Sequence, residues 1–202
     1  MEISALDIEG AWEVVPKVWP DDRGAFLEWY RHDRLTEAVG HPLGLAQANT
    51  SVSRRGVLRG IHFATVPPGQ AKYVTAMHGA VVDYIVDVRV GSPTFGRWCA
   101  VRLDDVDRRA VYLEEGLGHA FVAVSDVAIV SYLVTSTYAP DREFGVHPLD
   151  PTIGLELPDG IEPLLSPKDA GSPGLDEARQ AGLLPTYSAA RAYATSLDRR
   201  EG

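Results

Sequence analysis

Four ionisable residues stand inside what reads as a run of β-strands between Ser51 and Val90: Arg59, His62, Lys72 and Asp83. A charged side chain in a strand interior costs free energy unless it is paired or opens into a solvated cleft, so this clustering points to a ligand site. His62 can remove a proton if a carboxylate holds its tautomer and stabilises the imidazolium. The plainer alternative is a buried histidine bonded to a backbone carbonyl, and the cationic neighbours Arg59 and Lys72 shift the balance towards chemistry. Lys72 and Asp83 read either as a cross-strand ion pair or as a cation facing a developing oxyanion, oriented by the carboxylate. Tyr132, in VSYLV, is either a core tyrosine with a bonded hydroxyl or a general acid facing His62 across a substrate. Near the N-terminus, DDRGAFLE holds Arg23, Phe26 and Glu28. An arginine for phosphate, an aromatic for stacking and a carboxylate for a base edge suit a nucleotide, although a turn and an exposed strand would also explain them.

The elements expected to hold these residues are short strands. GAWEVVPKVW (10–19) reads as an opening strand, DDRG (21–24) as a turn, and AFLEWY as a second strand. Residues 32–39 have helical spacing and end at Gly40, a C-cap residue. LAQANTSVS alternates, so that Gln47 and Asn49 share a face with Ser51 and Ser53. In VLRGIHF strict alternation sends Arg59 and His62 to opposite faces; Gly60 between them admits a β-bulge that brings both to one side. KYVTAMH, AVVDYIVDVRV (80–90), RWCAVRL, AVYL, HAFVAV and VAIVSYLVT continue the rhythm, with the 81/83/85/87/89 face carrying Asp83, Asp87 and Arg89. So many short strands predict a sandwich or barrel rather than alternating βαβ units. After Tyr138 a Pro-, Asp- and Gly-rich stretch reads as ordered loop, and from Gly174 onward LDEARQAGLL and TYSAARAYATSL have helical propensity. The expected organisation is one domain over 1–202, with a helical segment, 174–202, packed on it.

Composition narrows the partners. A formal charge of −9 argues against broad nucleic-acid binding, while a few arginines in a cleft suffice for a diphosphate. Cys99 is the single cysteine, so neither an intramolecular disulfide nor a multi-cysteine metal site is available. No apolar run reaches transmembrane length and MEISALDIEG lacks a signal-peptide pattern, so a cytoplasmic location without membrane association is expected. A G-x-G-x-x-G opening a helix and a P-loop are both missing.

EEGLGHAF (114–121), with His119 after two glycines, resembles the second conserved stretch of cupin barrels. A metal-binding cupin would also show paired histidines followed by Glu, and GIHFA (60–64) lacks the second histidine, which disfavours a metal. DDRGAFLE, QANTSVSRRGVLRGIHF, PPGQAKYV, DVRVGSPTFGRW, YLEEGLGHAF, SYLVTSTYAP and LLSPKD, collinear over about residues 8–188, together resemble the dTDP-4-dehydrorhamnose 3,5-epimerase family. LLPTY and PPGQAKYV are most similar to members of antibiotic deoxysugar pathways. The resemblance implies a mainly β, jelly-roll (cupin) double-stranded β-barrel with short C-terminal helices, working without metal or organic cofactor. It implies His62 as general base paired with Asp169 of SPKD, Tyr132 as general acid, and Lys72 near the C4 oxygen of a 4-ketosugar. Asp83, His119, Gln47, Asn49 and Arg59 would line the pocket, Arg59 also near phosphate, with Tyr138 on the thymine. Arg23, Phe26 and Glu28 would come from the partner subunit of a homodimer. The implied activity is inversion at C3 and/or C5 of a dTDP-4-keto-6-deoxyhexose through an enolate. A 3-epimerase or 5-epimerase acting at a single centre stays open, as do a metal-dependent cupin enzyme and a non-catalytic sugar-nucleotide-binding cupin.

Overall fold

The computed structural model describes residues 1–198; residues 199–202, the end of the expected helical segment, lie outside the described residues. In chain order the first strands are β1 (Glu2–Ala5), β2 (Ala11–Val15), β3 (Val18–Asp21), β4 (Gly24–Leu27), β5 (Gln47–Arg54), β6 (Leu58–Ala64) and β7 (Lys72–His78). There follow β8 (Ala80–Val86), β9 (Trp98–Asp104), β10 (Ala110–Leu113), β11 (Gly118–Ala123), β12 (Val127–Val134) and β13 (Glu143–Gly145). The helices are α1 (His32–Val39), α2 (Pro167–Ala170), α3 (Leu175–Gln180) and α4 (Tyr187–Asp198).

Two antiparallel sheets face each other, a six-stranded one in the order β1-β2-β10-β7-β12-β5 and a five-stranded one in the order β13-β6-β11-β8-β9. Their inner faces share one apolar core, in which Val74, Val111, Leu113 and Val130 of the first sheet meet Val81, Ile85, Leu103 and Phe121 of the second. Each such side chain contributes roughly 1.5–3 kcal/mol on burial. The outer face of the five-stranded sheet is covered by the segment after Gly145, whose Val146, Ile153, Leu175 and Leu184 pack on Leu58, Ile61 and Phe63. On the outer face of the six-stranded sheet, Leu35 of α1 and Leu43 pack with Tyr73 and Tyr112. This is the jelly-roll arrangement implied by the family resemblance.

Several boundaries differ from expectation. Residues 10–19 form two strands, not one, because Pro16 supplies no N–H to a ladder. β2 joins the large sheet, whereas β3 pairs only with β4 in a separate hairpin that leaves Glu28 beyond its end. β1 precedes the expected first strand and pairs with β2. β8 stops at Val86, so Asp87 and Arg89 leave the face that carries Asp83. They form instead a buried ion pair of 2.8 Å, with the Ser92 and Thr94 hydroxyls donating to Asp87 and Arg89 donating to the Glu9 carbonyl. That pair closes a loop. α1 ends as expected, with Gly40 at φ 95° donating its N–H to the Thr36 carbonyl. Among the described residues no helix is long and apolar enough to cross a membrane.

Candidate active site

Register decides which side chains enter the barrel. Phe121 belongs to the inner core, and directly opposite it stand Arg59 on β6 and Asp83 on β8. His119, two residues earlier and so on the same face, stands opposite His62. Between these pairings β6 has two residues, Gly60 and Ile61, against the single Ala120 of β11, a bulge that turns Arg59 and His62 to one side. Gly60 is required there: its φ is 117°, and a Cβ would lie 2.4 Å from the His119 carbonyl oxygen. On the facing sheet, one row runs Gln47, Val134, Lys72 and Leu113, and the next runs Asn49, Tyr132, Val74 and Val111. Chemistry is thus concentrated on one flank of the barrel, while β9 and β10 supply mainly apolar side chains to the other.

His62 Nε2 lies 2.6 Å from Asp169 Oδ1. Asp169 is 4 % exposed and sits in α2, a single turn capped by Ser166, whose hydroxyl accepts the Asp169 N–H at 3.0 Å, and opened by Pro167. Burial pushes the Asp169 carboxyl up, but the His62 imidazole, the Ser166 hydroxyl and the Gly60 backbone together hold it below the ordinary carboxylate range. The imidazole itself remains open, with its side chain 40 % exposed.

Lys72 is 6 % exposed. Burial lowers its ammonium to about 8 against the opposing pull of Glu143 and Glu115. The expected partnership of Lys72 with Asp83, as an ion pair or as an orienting contact, is not formed. β7 and β8 lie in different sheets, and Asp83 Oδ2 instead meets His119 Nε2 at 2.8 Å. Asp83 Oδ1 is buried without a partner, and burial, opposed by the His119 imidazole, raises this carboxyl above its usual range. Tyr132 packs against the inner core; burial raises its phenol, opposed by Arg59 and reinforced by Glu143. Arg59 donates to the Ser53 hydroxyl at 3.1 Å, a bond from β6 of the five-stranded sheet to β5, the edge strand of the six-stranded one.

The remaining expected residues divide into two groups. Gln47 donates to Asn49 at 2.7 Å and accepts the Tyr138 N–H at 3.2 Å, so the loop bearing the exposed Tyr138 ring is tied to the barrel wall. Arg23, Phe26 and Glu28 are not brought to this flank by the bonds they make. Arg23 pairs with its own Asp21 at 2.5 Å, Phe26 is 67 % exposed beside Trp19, and Glu28 pairs with Arg31 at 3.2 Å.

Two acidic residues near the site carry no signal in the sequence pattern. Glu143 lies in a stretch read as loop, but the short β13 pairs with β6 and places it opposite Ala64, two residues from His62. Glu115, in the EEGLGHAF stretch, is a carboxylate buried to 5 % exposure, and burial is not visible in a linear pattern. Among the described residues, no three His, Cys, Asp or Glu side chains converge as metal ligands. A histidine held by a carboxylate, a phenol kept protonated and a buried ammonium make a site suited to removing a proton next to a carbonyl and stabilising the enolate.

Comparison with known proteins agrees with this chemistry. The sequence profile of the dTDP-4-dehydrorhamnose 3,5-epimerase family matches residues 5–177. A 3,5-epimerase of that name from Mycolicibacterium smegmatis is 53 % identical over 199 residues, 98 % of each chain. NovW, a 4-keto-6-deoxy sugar epimerase from the novobiocin biosynthetic gene cluster of Streptomyces spheroides, superposes with a TM-score of 0.92 at 60 % identity, covering 94 % of this chain and 95 % of its own. ChmJ, a 3'-monoepimerase from Streptomyces bikiniensis solved with dTDP-quinovose, gives 0.93 at 50 % identity over 96 % and 98 %. With fold, length and sequence all matched, the chain belongs to the dTDP-4-dehydrorhamnose 3,5-epimerase family and is an isomerase.

Proposed function

We propose that the protein inverts C3, with or without C5, of a dTDP-4-keto-6-deoxyhexose, dTDP-4-keto-6-deoxyglucose being the first choice, in antibiotic deoxysugar biosynthesis. The observation that carries this function is the His62–Asp169 pair, with His62 on the inner face of the five-stranded sheet and Tyr132 and Lys72 on the inner face of the sheet opposite. Hydrogens on C3 and C5 of such a sugar are both α to the C4 carbonyl. His62, oriented by Asp169, removes one of them, and the electron pair moves into an enolate whose negative charge collects on O4. The Lys72 ammonium stabilises that oxygen. Tyr132 returns a proton from the opposite face, so configuration inverts with no net oxidation or reduction.

Arg59, Gln47, Asn49, Asp83 and His119 line the pocket, with Arg59 towards the diphosphate and Tyr138 against the thymine. The hairpin residues Arg23, Phe26 and Glu28 complete the nucleotide site of a second copy in a homodimer. Their exposure on a hairpin apart from both large sheets supports this assignment. The test is NMR of dTDP-4-keto-6-deoxyglucose with the enzyme in deuterated water. Deuterium should enter at C3, and entry at C5 separates a double from a single epimerase. His62→Asn should abolish exchange while dTDP still binds; undiminished exchange in that variant would overturn the base assignment.

A further inference from the structure

Beneath α4 lies a second cluster of ionisable groups that the mechanism above does not use. Two cavities, of about 200 and 270 Å³, both reach His41 and Glu115. The first also meets Trp12, Glu114 and Arg89; the second meets Thr135 and, on α4, Tyr193. His41 is 4 % exposed, and its Nε2 is buried without a hydrogen-bond partner, while Nδ1 faces the Pro42 carbonyl at 3.3 Å. Glu115 Oε1 accepts the Thr135 hydroxyl at 3.0 Å, and that hydroxyl accepts the Ala71 N–H at 2.9 Å. Lys72 follows Ala71, and its row partners Val134 and Leu113 lie one residue before Thr135 and two before Glu115. Bonds among the ends of β7, β10 and β12 therefore tie the Glu115 carboxylate to the backbone next to Lys72, within electrostatic reach of its ammonium.

We propose that Glu115 is a positioning residue for the reaction, keeping the Lys72 ammonium charged from the α4 side of the barrel, with His41 across the cavity favouring Glu115 as a carboxylate. This rests on Lys72 serving the enolate oxygen. Lys72 is faced by Glu115 from the β10–β11 turn and by Glu143 from β13. Glu115 is faced by His41 from the α1–β5 loop and by Thr135 from the end of β12, while Glu114 on its own turn is faced by His41, Arg89 and Glu9. Burial pushes the Glu115 carboxyl up, and the Thr135 hydroxyl and His41 oppose that rise, so a balance exists for His41 to tip.

The chain has three lysines, Lys17, Lys72 and Lys168, so ¹³C-labelled lysine gives three side-chain NMR signals and the titration of Lys72 can be followed directly. Glu115→Gln keeps an acceptor for Thr135 and removes the charge. The Lys72 midpoint should fall, and the alkaline limb of kcat for exchange should fall by the same shift, with KM for the sugar nucleotide unchanged. Glu115→Asp should restore both. An unmoved Lys72 midpoint in Glu115→Gln overturns the proposal, as does a loss of kcat equal at every pH, which marks a structural role. A moved midpoint with an unmoved rate limb also overturns it, and locates the failure in the use of Lys72 rather than in its neighbour. Should Glu115→Gln not fold, His41→Gln carries the same readout, with a smaller downward shift expected and an unmoved midpoint again fatal.

Discussion

His62 and Asp169, 107 positions apart in the chain, meet at 2.6 Å because one turn of helix after the last strand folds back onto the bulged strand that carries the histidine. The carboxylate is buried and the imidazole is open, the polarity a general base requires.

Asp169→Asn should lower the exchange rate by roughly 10²–10⁴-fold while dTDP affinity holds, since the base loses its orienting charge and nothing else moves. Deuterium incorporation beside dTDP calorimetry measures both. The same carboxyl links folding to pH. Its native pKa is depressed, so its contribution is present above about pH 4, the unfolded value, and is lost as pH falls through the native one. Melting temperatures of Asp169→Asn should accordingly decline less steeply in acid than those of the wild type.

Lys72 should set the alkaline limit of activity. With its ammonium lowered to about 8, the charge on O4 loses its counter-ion as pH rises through that value, and kcat should fall there. The sign for stability is opposite. A buried lysine with a depressed pKa destabilises the native state most below about pH 8, and the penalty disappears as pH approaches the unfolded value. Lys72→Met should thus be inactive yet more stable near neutrality, by up to about 3 kcal/mol. Urea unfolding at neutral pH and at pH 10 checks it, the difference shrinking at the higher pH.

Gly60→Ala should disable the enzyme without removing a functional group. A Cβ there meets the His119 carbonyl and the Ala120 side chain at 2.4 and 2.6 Å, and the backbone is in the left-handed region. Straightening the bulge would return Arg59 and His62 to opposite faces. A stability loss of more than about 2 kcal/mol is expected, with exchange falling far more than dTDP binding.

Mixed dimers test the hairpin. Arg23→Ala/Phe26→Ala and His62→Asn should each be inactive alone. If the hairpin serves the partner's site, random reassociation yields one intact site in each mixed dimer, about a quarter of all sites. Recovery of activity on mixing reports this directly; sites built within one chain would recover none.

Much of this was legible locally. Strand alternation, turn residues and the Gly40 cap are short-range properties, so most strands and α1 were predicted within a few residues. The polar face of β5 and the bulge at Gly60 followed from period two and from a glycine between two functional residues. The Lys72–Asp83 partnership was misjudged because neighbours in sequence, β7 and β8, fold into opposite sheets; chain order does not reveal sheet order in a jelly roll.

By itself, then, the sequence determined the strand rhythm, the side chains that must face one way and, through its motifs, the family. The tertiary structure formed the His62–Asp169 pair that the motifs implied, and it alone decided the other partners: His119 for Asp83, and Glu143 with Glu115 for Lys72. The reason is physical. Alternation is a property of one strand, whereas the charge state of a buried group depends on solvent exclusion and on groups from every element packed around it.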